Sequence, residues 1–181
     1  MKNNETIFFG KEKLAPKPTN SELLQSLTGG FVAIFFLIWF SRVTGYTLIM
    51  APFGASCVLL FAVSQSPLAQ PRNVILGHLI SAFCGLLFLK LFGHDVIIIA
   101  FAVGIAIIAM QYFRAVHPPA GANPLVILLT ADKIDYDFTF LLFPVLSGSV
   151  ILVAIAYLVN NLFNKTHWPV YWLALFKEKE K

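Results

Sequence analysis

The sequence predicts an all-α integral membrane protein, a helical bundle of two pseudo-repeats. Of its 181 residues, 58% are hydrophobic and 12% are charged, whereas soluble domains average about 45–50% apolar and about 25% charged residues. Long apolar runs recur at close to the ~20 residues that a bilayer requires. Two Pro-x-Gly-Ala motifs, Pro52–Ser56 and Pro119–Asn123, interrupt such runs at corresponding places in the two halves.

The first half reads as a long helix, a short broken helix and a long helix. Thr19 and Glu22 have the spacing of a capping box, and the first span follows over Leu23–Ser41. Tyr46–Val63 is interrupted by Pro52, which predicts an extended entry and a short helix from that proline. After a loop at Ser64–Gln70, Pro71 suits the first position of a third helix, which continues over Arg72–Phe92.

The third helix carries a stripe of small residues at a spacing of four. Gly77, Ser81 and Gly85 share one face, and small residues let helices approach closely in lipid. The stripe suits either packing within one chain or a homo-oligomer.

The second half repeats the order. A fourth apolar helix is predicted over Val96–Phe113 and ends before Pro118 and Pro119, because a residue that precedes proline is pushed to extended geometry. A short apolar run, Ala120–Ala131, an acidic loop at 132–137 and a last span over Phe138–Phe163 follow. The C-terminal stretch then carries Trp168, Tyr171 and Trp172 ahead of lysines, a pattern typical of a membrane interface.

The predicted organisation is a cytoplasmic polar tail at 1–22, a transmembrane domain at 23–163 and an interfacial, basic tail at 164–181. The first repeat covers about 23–92 and the second about 96–163. Both tails are basic, so we expect both termini in the cytoplasm of a cell (inner or plasma) membrane. This requires an even number of crossings, either four full spans plus two short re-entrant segments, or six spans. Positive-inside reasoning prefers six, which makes the repeat inverted.

The broken segments predict a binding site. Interrupted segments at matching places in two halves point to the site of a transporter, and the free N–H groups at a helix start favour an anion. The candidate residues where the short helices start are Gly54, Ala55, Ser56, Gly121, Ala122 and Asn123. The alternative for Asn123 is a helix cap alone.

The charges favour an anionic or a neutral polar substrate. Between Leu23 and Ala131 the ionised residues are four basic ones and a single acidic one, Asp95. Arg72, His78, Arg114 and His117 are the candidate donors. The arginines could instead anchor helix ends at the interface, His78 could bond a neighbouring helix, and His117 could cap a turn.

Several classes of function are not expected. The sequence holds no catalytic motif, so no enzyme is predicted, and no metal-ligand spacing, so neither a metal nor another cofactor is expected. There is no basic stripe with interleaved aromatics, so nucleic acid is not an expected partner. Cys57 and Cys84 are expected to be small buried hydrophobes.

Three motifs resemble one family of integral membrane proteins. His117-Pro118-Pro119-Ala120-Gly121-Ala122 looks like the signature of the HPP family, and Ala51–Ser56 and Ser66–Asn73, followed by Gly77-His78, look like two further motifs of it. The resemblance covers about residues 25–163. It implies a small helical membrane protein, commonly described with four spans, whose plastid and cyanobacterial relatives are associated with nitrite transport. It adds Asn73, Pro118 and Pro119 to the candidate site as motif positions.

The expected function is therefore membrane transport of a small anion, nitrite being the first candidate, with the lipid bilayer as the other partner. Two alternatives stay open: a structural or assembly membrane protein without a translocation path, and a channel for a small neutral solute.

Overall fold

The computed structural model describes residues 14, 16–163 and 167–174, and the regular structure within them is helical, with no strand. The remainder of the two predicted tails lies outside the described residues. The α-helices are α1 (Asn20–Thr44), α2 (Ala51–Ala62), α3 (Pro71–Phe92), α4 (Val96–Tyr112), α5 (Asn123–Leu129) and α6 (Ser147–Phe163). Short 3₁₀ turns lie at Pro67–Ala69, Pro118–Ala122 and Phe138–Leu141. The all-α prediction is confirmed.

Helix α1 begins at the predicted capping box. The hydroxyl of Thr19 accepts from the backbone N–H of Glu22 at 3.3 Å, and the Glu22 carboxylate accepts from the backbone N–H of Thr19 at 2.7 Å. The helix ends at Gly45, whose φ of 75° is left-handed. Glycine adopts that conformation without the clash a Cβ would cause, so both ends of α1 follow from local sequence.

The bundle is apolar on its outer surface, as a lipid environment favours, and its interior is a hydrophobic core that holds a few buried polar side chains. Phe31, Phe101 and Leu158 are among many large exposed hydrophobic residues, and they face what would be lipid. Three described stretches are long and apolar enough to cross a membrane: Asn20–Thr44, Pro71–Phe92 and Phe138–Phe163. Helix α4 has 17 residues, which span about 26 Å of a hydrocarbon core of about 30 Å.

The last span covers the predicted residues, but its start is irregular. Phe143 is extended, with φ −131° and ψ 111°, and regular α-helix begins only at Ser147. Pro144 is the physical reason, because proline disfavours helical geometry in the residue before it. The sequence therefore holds a third proline interruption that the pattern of paired motifs did not reveal.

One end of the bundle, here called the tail end, gathers residues 20–26, 60–73, 112–117, 160–163 and 167–174. The Gln25 amide donates to Asn160 Oδ1 at 2.8 Å, and Asn160 donates to the carbonyl of Leu60 at 3.0 Å. Ser26 donates to the carbonyl of Phe61 at 3.2 Å. The start of α1 and the ends of α2 and α6 therefore lie together.

The opposite end, here called the loop end, gathers residues 41–50, 90–96 and 130–147. The backbone N–H of Leu48 donates to the hydroxyl of Ser41 at 2.8 Å, so the entry to α2 lies beside the end of α1. Lys90 pairs with Asp135 at 3.6 Å, which places the end of α3 beside the loop that follows α5.

These contacts fix the course of the chain. Because α2 starts at the loop end and finishes at the tail end, it runs antiparallel to α1. Residues 115–129 return from the tail end to the loop end along α3. The described chain thus runs between the two ends six times, which supports the six-span alternative and puts both Asn20 and Phe163 at the tail end. With 12 and 7 residues, α2 and α5 are too short to cross alone, and non-helical backbone completes both passes.

The order of long, short and long elements holds in both halves, and their directions are opposed. An inverted repeat requires both features. Structural equivalence of the two halves stays a prediction.

The small-residue stripe packs within the chain. A Cβ built at Gly77 would lie 2.7 Å from His117 Cβ, and one built at Gly85 would lie 2.9 Å from Pro124 Cα. The Ser81 hydroxyl between them donates to the carbonyl of Ala120. The stripe therefore lets residues 115–117, which are non-helical, the 3₁₀ turn at Pro118–Ala122 and the start of α5 pack directly on α3.

Residues 167–174, here called the C-terminal strap, fold over the tail end. Trp168 is only 1% exposed and donates through Nε1 to the carbonyl of Ser64 at 3.1 Å. The backbone N–H of Val170 donates to the Gln70 side chain at 2.8 Å. Trp168 was expected at the membrane interface; its aromatic surface instead lies inside the protein.

Candidate functional site

Four polar side chains meet in the interior of the bundle. They are Ser56 of α2, His78 of α3, His117 at the break before residues 118–122, and Asn123, the first residue of α5. None is more than 1% exposed. All four belong to the site predicted from sequence, and Ser56 and Asn123 come from the two Pro-x-Gly-Ala motifs. We call these four residues the polar cluster.

Ser56 is the hub of the cluster. Its Oγ lies 2.9 Å from His78 Nε2 and 2.8 Å from His117 Nε2. The two imidazole rings have centroids 5.0 Å apart, and the Phe53 ring packs against His78 in a T-shaped pair with centroids 5.0 Å apart. A single hydroxyl therefore bridges two histidines from different segments.

The outer nitrogens of the two histidines are bonded as well. His117 Nδ1 lies 2.8 Å from the carbonyl oxygen of Leu68. His78 Nδ1 lies 3.1 Å from Asn123 Nδ2 and 3.4 Å from Asn123 Oδ1, and Asn123 Nδ2 also donates to the carbonyl of His78 at 3.0 Å. Asn123 is therefore bonded to α3 and caps no helix, and the His117 side chain caps no turn.

The hydrogen bonds assign the tautomers of the neutral cluster. A carbonyl oxygen only accepts, so His117 Nδ1 carries a proton and His117 Nε2 accepts from the Ser56 hydroxyl. That hydroxyl has one proton, for which the Pro52 carbonyl at 3.2 Å is a second and longer acceptor, so its oxygen accepts from His78 Nε2–H. His78 Nδ1 is then the acceptor for the Asn123 amide. One arrangement satisfies every member, and all four bonds point from Asn123 towards the Leu68 carbonyl.

Arg72 and Asn73 lie outside the cluster. Arg72 at the tail end donates to the carbonyls of Phe113 at 2.8 Å and Leu173 at 2.5 Å, and it thus ties α4 and the C-terminal strap to α3. Asn73 donates to the carbonyl of Val116 at 2.8 Å. Both side chains hold irregular backbone in place.

Arg114 also lies at the tail end. Its side chain is exposed, and its backbone has a φ of 53° where the chain turns from α4 into the non-helical segment. The structure does not bring Arg114 to the polar cluster.

Four of the remaining predicted site residues, Ala55, Pro118, Pro119 and Ala122, line a groove beside the cluster. The groove has a volume of about 530 Å³ and runs between α2 and residues 118–126. A Cβ at Gly54 or at Gly121 would meet nothing within 4 Å, so both glycines border open space. The lining residues are Ala51, Pro52, Ala55, Leu59, Pro118, Pro119, Ala122 and Val126.

A second cavity of about 470 Å³ opens at the loop end and shares Ala51 and Val126 with the groove. It is more polar, with Asp135, Tyr136 and Asp137 in its wall. The two spaces are therefore adjacent, and together they extend from the loop end along the outer side of both motifs.

Sequence reasoning missed two parts of this interior. The first is the Leu68 carbonyl, a backbone group that no pattern of side chains reveals. The second is the Gln25–Asn160 pair, whose amides stand out in apolar segments and could have been noted as intramembrane polar residues. Within residues 14, 16–163 and 167–174, no group of three or more His, Cys, Asp or Glu side chains could hold a metal ion.

Comparison with known proteins identifies the family to which the chain belongs. The profile described as "HPP, transmembrane region" matches residues 15–169. The chain belongs to the HPP family. A transmembrane protein of Dictyostelium discoideum is 34% identical to this HPP protein over 173 residues, which are 90% of this chain and 60% of that relative. A second Dictyostelium discoideum transmembrane protein is 37% identical over 128 residues, 68% of this chain and 41% of the relative.

This HPP chain therefore spans about half the length of the curated relatives that it matches. No solved structure matches it. Within the matched region lie the polar cluster, the groove and all six α-helices.

Proposed function

We propose that this HPP protein transports a small anion, nitrite being the first candidate, with the polar cluster as the substrate-binding region. The observation that carries the proposal is the cluster itself: hydrogen-bond donors from both broken segments are buried together at membrane depth. Polar groups there are costly and are typically kept for function. Membrane transport at this general level is consistent with the family.

The charge distribution supports an anion. The carboxylates of the described chain, Glu22, Asp95, Asp132, Asp135 and Asp137, lie at the two ends of the bundle. Nothing acidic belongs to the cluster, so its donors are free of the repulsion that would exclude an anion. The groove beside Ala55 and Ala122 provides space through which a small solute could approach.

The proposed orientation puts the tail end in the cytoplasm of a cell membrane. Arg72 and Arg114 lie at this end, and the two basic tails extend from it. The loop end carries Arg42, Lys90 and Lys133 beside Asp95 and the acidic loop at 132–137, so the excess of basic residues comes from the two tails. The excess of basic residues on one side is the positive-inside pattern.

The test is uptake of nitrite, nitrate and formate into proteoliposomes. We expect nitrite uptake above that of empty vesicles, and a roughly 10- to 100-fold lower rate for His117→Gln, because a hydrogen bond to a charged group contributes about 1.5–3 kcal/mol. His94→Gln is the matched control, because His94 lies at the loop end in a pair with Asp132. No flux of any of the three anions through folded protein would refute the proposal.

A second candidate function, assembly without a translocation path, is favoured by one observation. The four cluster side chains satisfy one another, and the walls of the groove are apolar. In that case His117→Gln lowers thermal stability while neither protein shows flux. A channel for a neutral solute is distinguished by solute flux that responds to neither membrane potential nor pH.

A further inference from the structure

We propose that Ser56 joins His78 and His117 into a path for one proton, and that the protein moves a monovalent anion together with that proton. This inference rests on the proposed anion transport and adds the coupling ion and the stoichiometry. It is carried by the bridging position of one hydroxyl between two imidazoles inside the bundle.

The first step of the argument is the direction of the resting hydrogen bonds. The Leu68 carbonyl fixes the Nδ1–H tautomer of His117, so the Ser56 proton points to His117 Nε2 and the His78 Nε2 proton points to Ser56. Donor–acceptor distances of 2.8 and 2.9 Å are within the usual range for hydrogen bonds, along which a proton can pass. Each member already points its proton at the next acceptor.

The second step is the transfer itself. A proton binds His78 Nδ1 and makes an imidazolium. The His78 Nε2–H bond breaks as Ser56 Oγ takes that proton, and the Ser56 O–H bond breaks as His117 Nε2 takes the original hydroxyl proton. The positive charge has then moved from His78 to His117, the Ser56 hydroxyl is restored, and nothing is oxidised or reduced.

Asn123 can form a hydrogen bond with both the neutral and the protonated form of His78. Its Nδ2 lies 3.1 Å and its Oδ1 lies 3.4 Å from His78 Nδ1. The amide can therefore donate to the neutral imidazole or, after a small rotation, accept from the imidazolium. At the other end, the Leu68 carbonyl accepts from His117 Nδ1 in the neutral and the charged form alike.

The third step couples the proton to the anion. An imidazolium inside the bundle has no carboxylate of the described chain beside it, and an unpaired buried charge is costly. A bound anion supplies the missing counter-charge, so proton and anion stabilise each other's binding. With ring centroids 5.0 Å apart, the two histidines disfavour a second proton, so the coupling is one to one.

The remaining titratable and charged groups on the elements packed around the two histidines are few. Cys57, Cys84 and Tyr157 lie on α2, α3 and α6. The charged groups lie towards the ends, Arg72 and Arg114 at the tail end and Lys90, Asp95 and Asp137 at the loop end, and the neutral hydroxyls of Tyr112 and Tyr171 lie at the tail end.

The test measures nitrite uptake into proteoliposomes under an imposed pH gradient, and separately under a potassium-clamped membrane potential, with empty vesicles subtracted. We expect an inward proton gradient to raise wild-type uptake at least roughly tenfold and the potential to change it less than twofold. Ser56→Ala should lose the response to the pH gradient, Ser56→Thr should keep it, and Ser81→Ala is the control, because that buried hydroxyl bonds only the Ala120 carbonyl.

Wild-type uptake that follows the potential and ignores the pH gradient overturns the coupling and leaves anion transport intact. Absence of any uptake removes the proposed function itself. If Ser56→Ala fails to fold, nitrogen-15 NMR of the histidines in wild-type protein decides instead. We expect the Nδ1–H tautomer for His117 and the Nε2–H tautomer for His78, and the reverse pair overturns the path.

Discussion

Replacement of Gly77 by alanine should separate α3 from the broken segment that carries His117. The added Cβ would lie 2.7 Å from His117 Cβ and 2.8 Å from the carbonyl oxygen of Ala115, where ordinary contacts begin at about 3.4 Å. One of these neighbours is backbone, so the segment must retreat by roughly half an ångström or more. Overpacking of this kind costs about 1–3 kcal/mol, and it lengthens the bond between Ser56 and His117.

The assay is thermal unfolding in detergent, followed by nitrite uptake. In a chain of this size each kcal/mol lowers Tm by roughly 2–4 °C, so Gly77→Ala should unfold several degrees below wild type and lose uptake. Gly104→Ala is the matched control, since a Cβ there meets nothing within 4 Å, and it should match or slightly exceed wild-type stability. Equal Tm values for the two variants would refute the packing argument.

Three further predictions concern topology, interior pairing and the tail end. Cysteines introduced at Gln65 and Lys133, in a background without native cysteines, should react with an impermeant maleimide from opposite sides of the membrane; labelling from the same side contradicts six passes. Asn160→Leu should cost about 1–3 kcal/mol in thermal unfolding because it leaves the Gln25 amide unpaired, and adding Gln25→Leu should recover part of that loss. Arg72→Gln should expose the C-terminal strap to protease faster than wild type; an unchanged cleavage rate contradicts the role of that guanidinium.

The features that the sequence predicted well are those set by local chemistry. The capping box at Thr19 and the proline start of α3 depend on backbone groups within one turn, so residue type alone decides them. The close packing at Gly77, Ser81 and Gly85 was also predictable, because small residues at a spacing of four in an apolar helix indicate that another backbone approaches that face closely.

Part of the candidate site was predictable for a different reason. Ser56 and Asn123 occupy matching places after the two prolines, and His78 and His117 are rare polar groups in apolar surroundings. Their hydrogen bonds to one another were not predictable, because they depend on the depth at which α2 and the segment before α5 pass each other. Sequence spacing does not measure that depth.

Trp168 shows where the pattern misled, and Arg72 shows where it was incomplete. An aromatic residue near a span end is typical of an interface, but Trp168 is buried in the protein. Arg72, a candidate donor from sequence, lies at the tail end and donates to backbone carbonyls there. The contacts join residues about 100 positions apart, Arg72 with Leu173 and Ser64 with Trp168. No local rule anticipates such a pairing.

The interruptions in the helices explain why some of the polar residues are buried, but they do not explain the others. A non-helical segment at membrane depth needs partners for its carbonyls, and Asn73 and Ser81 supply them to Val116 and Ala120. Those side chains would be needed in a purely structural protein. Ser56 differs, because removing the bridge between two imidazoles would leave chiefly the Nε2 atoms of the two histidines without a partner. If these positions served packing alone, alanine at position 56 and apolar residues in place of both histidines would avoid the cost of burying polar groups. The hydrogen-bonded bridge therefore favours a role in binding a proton or an anion.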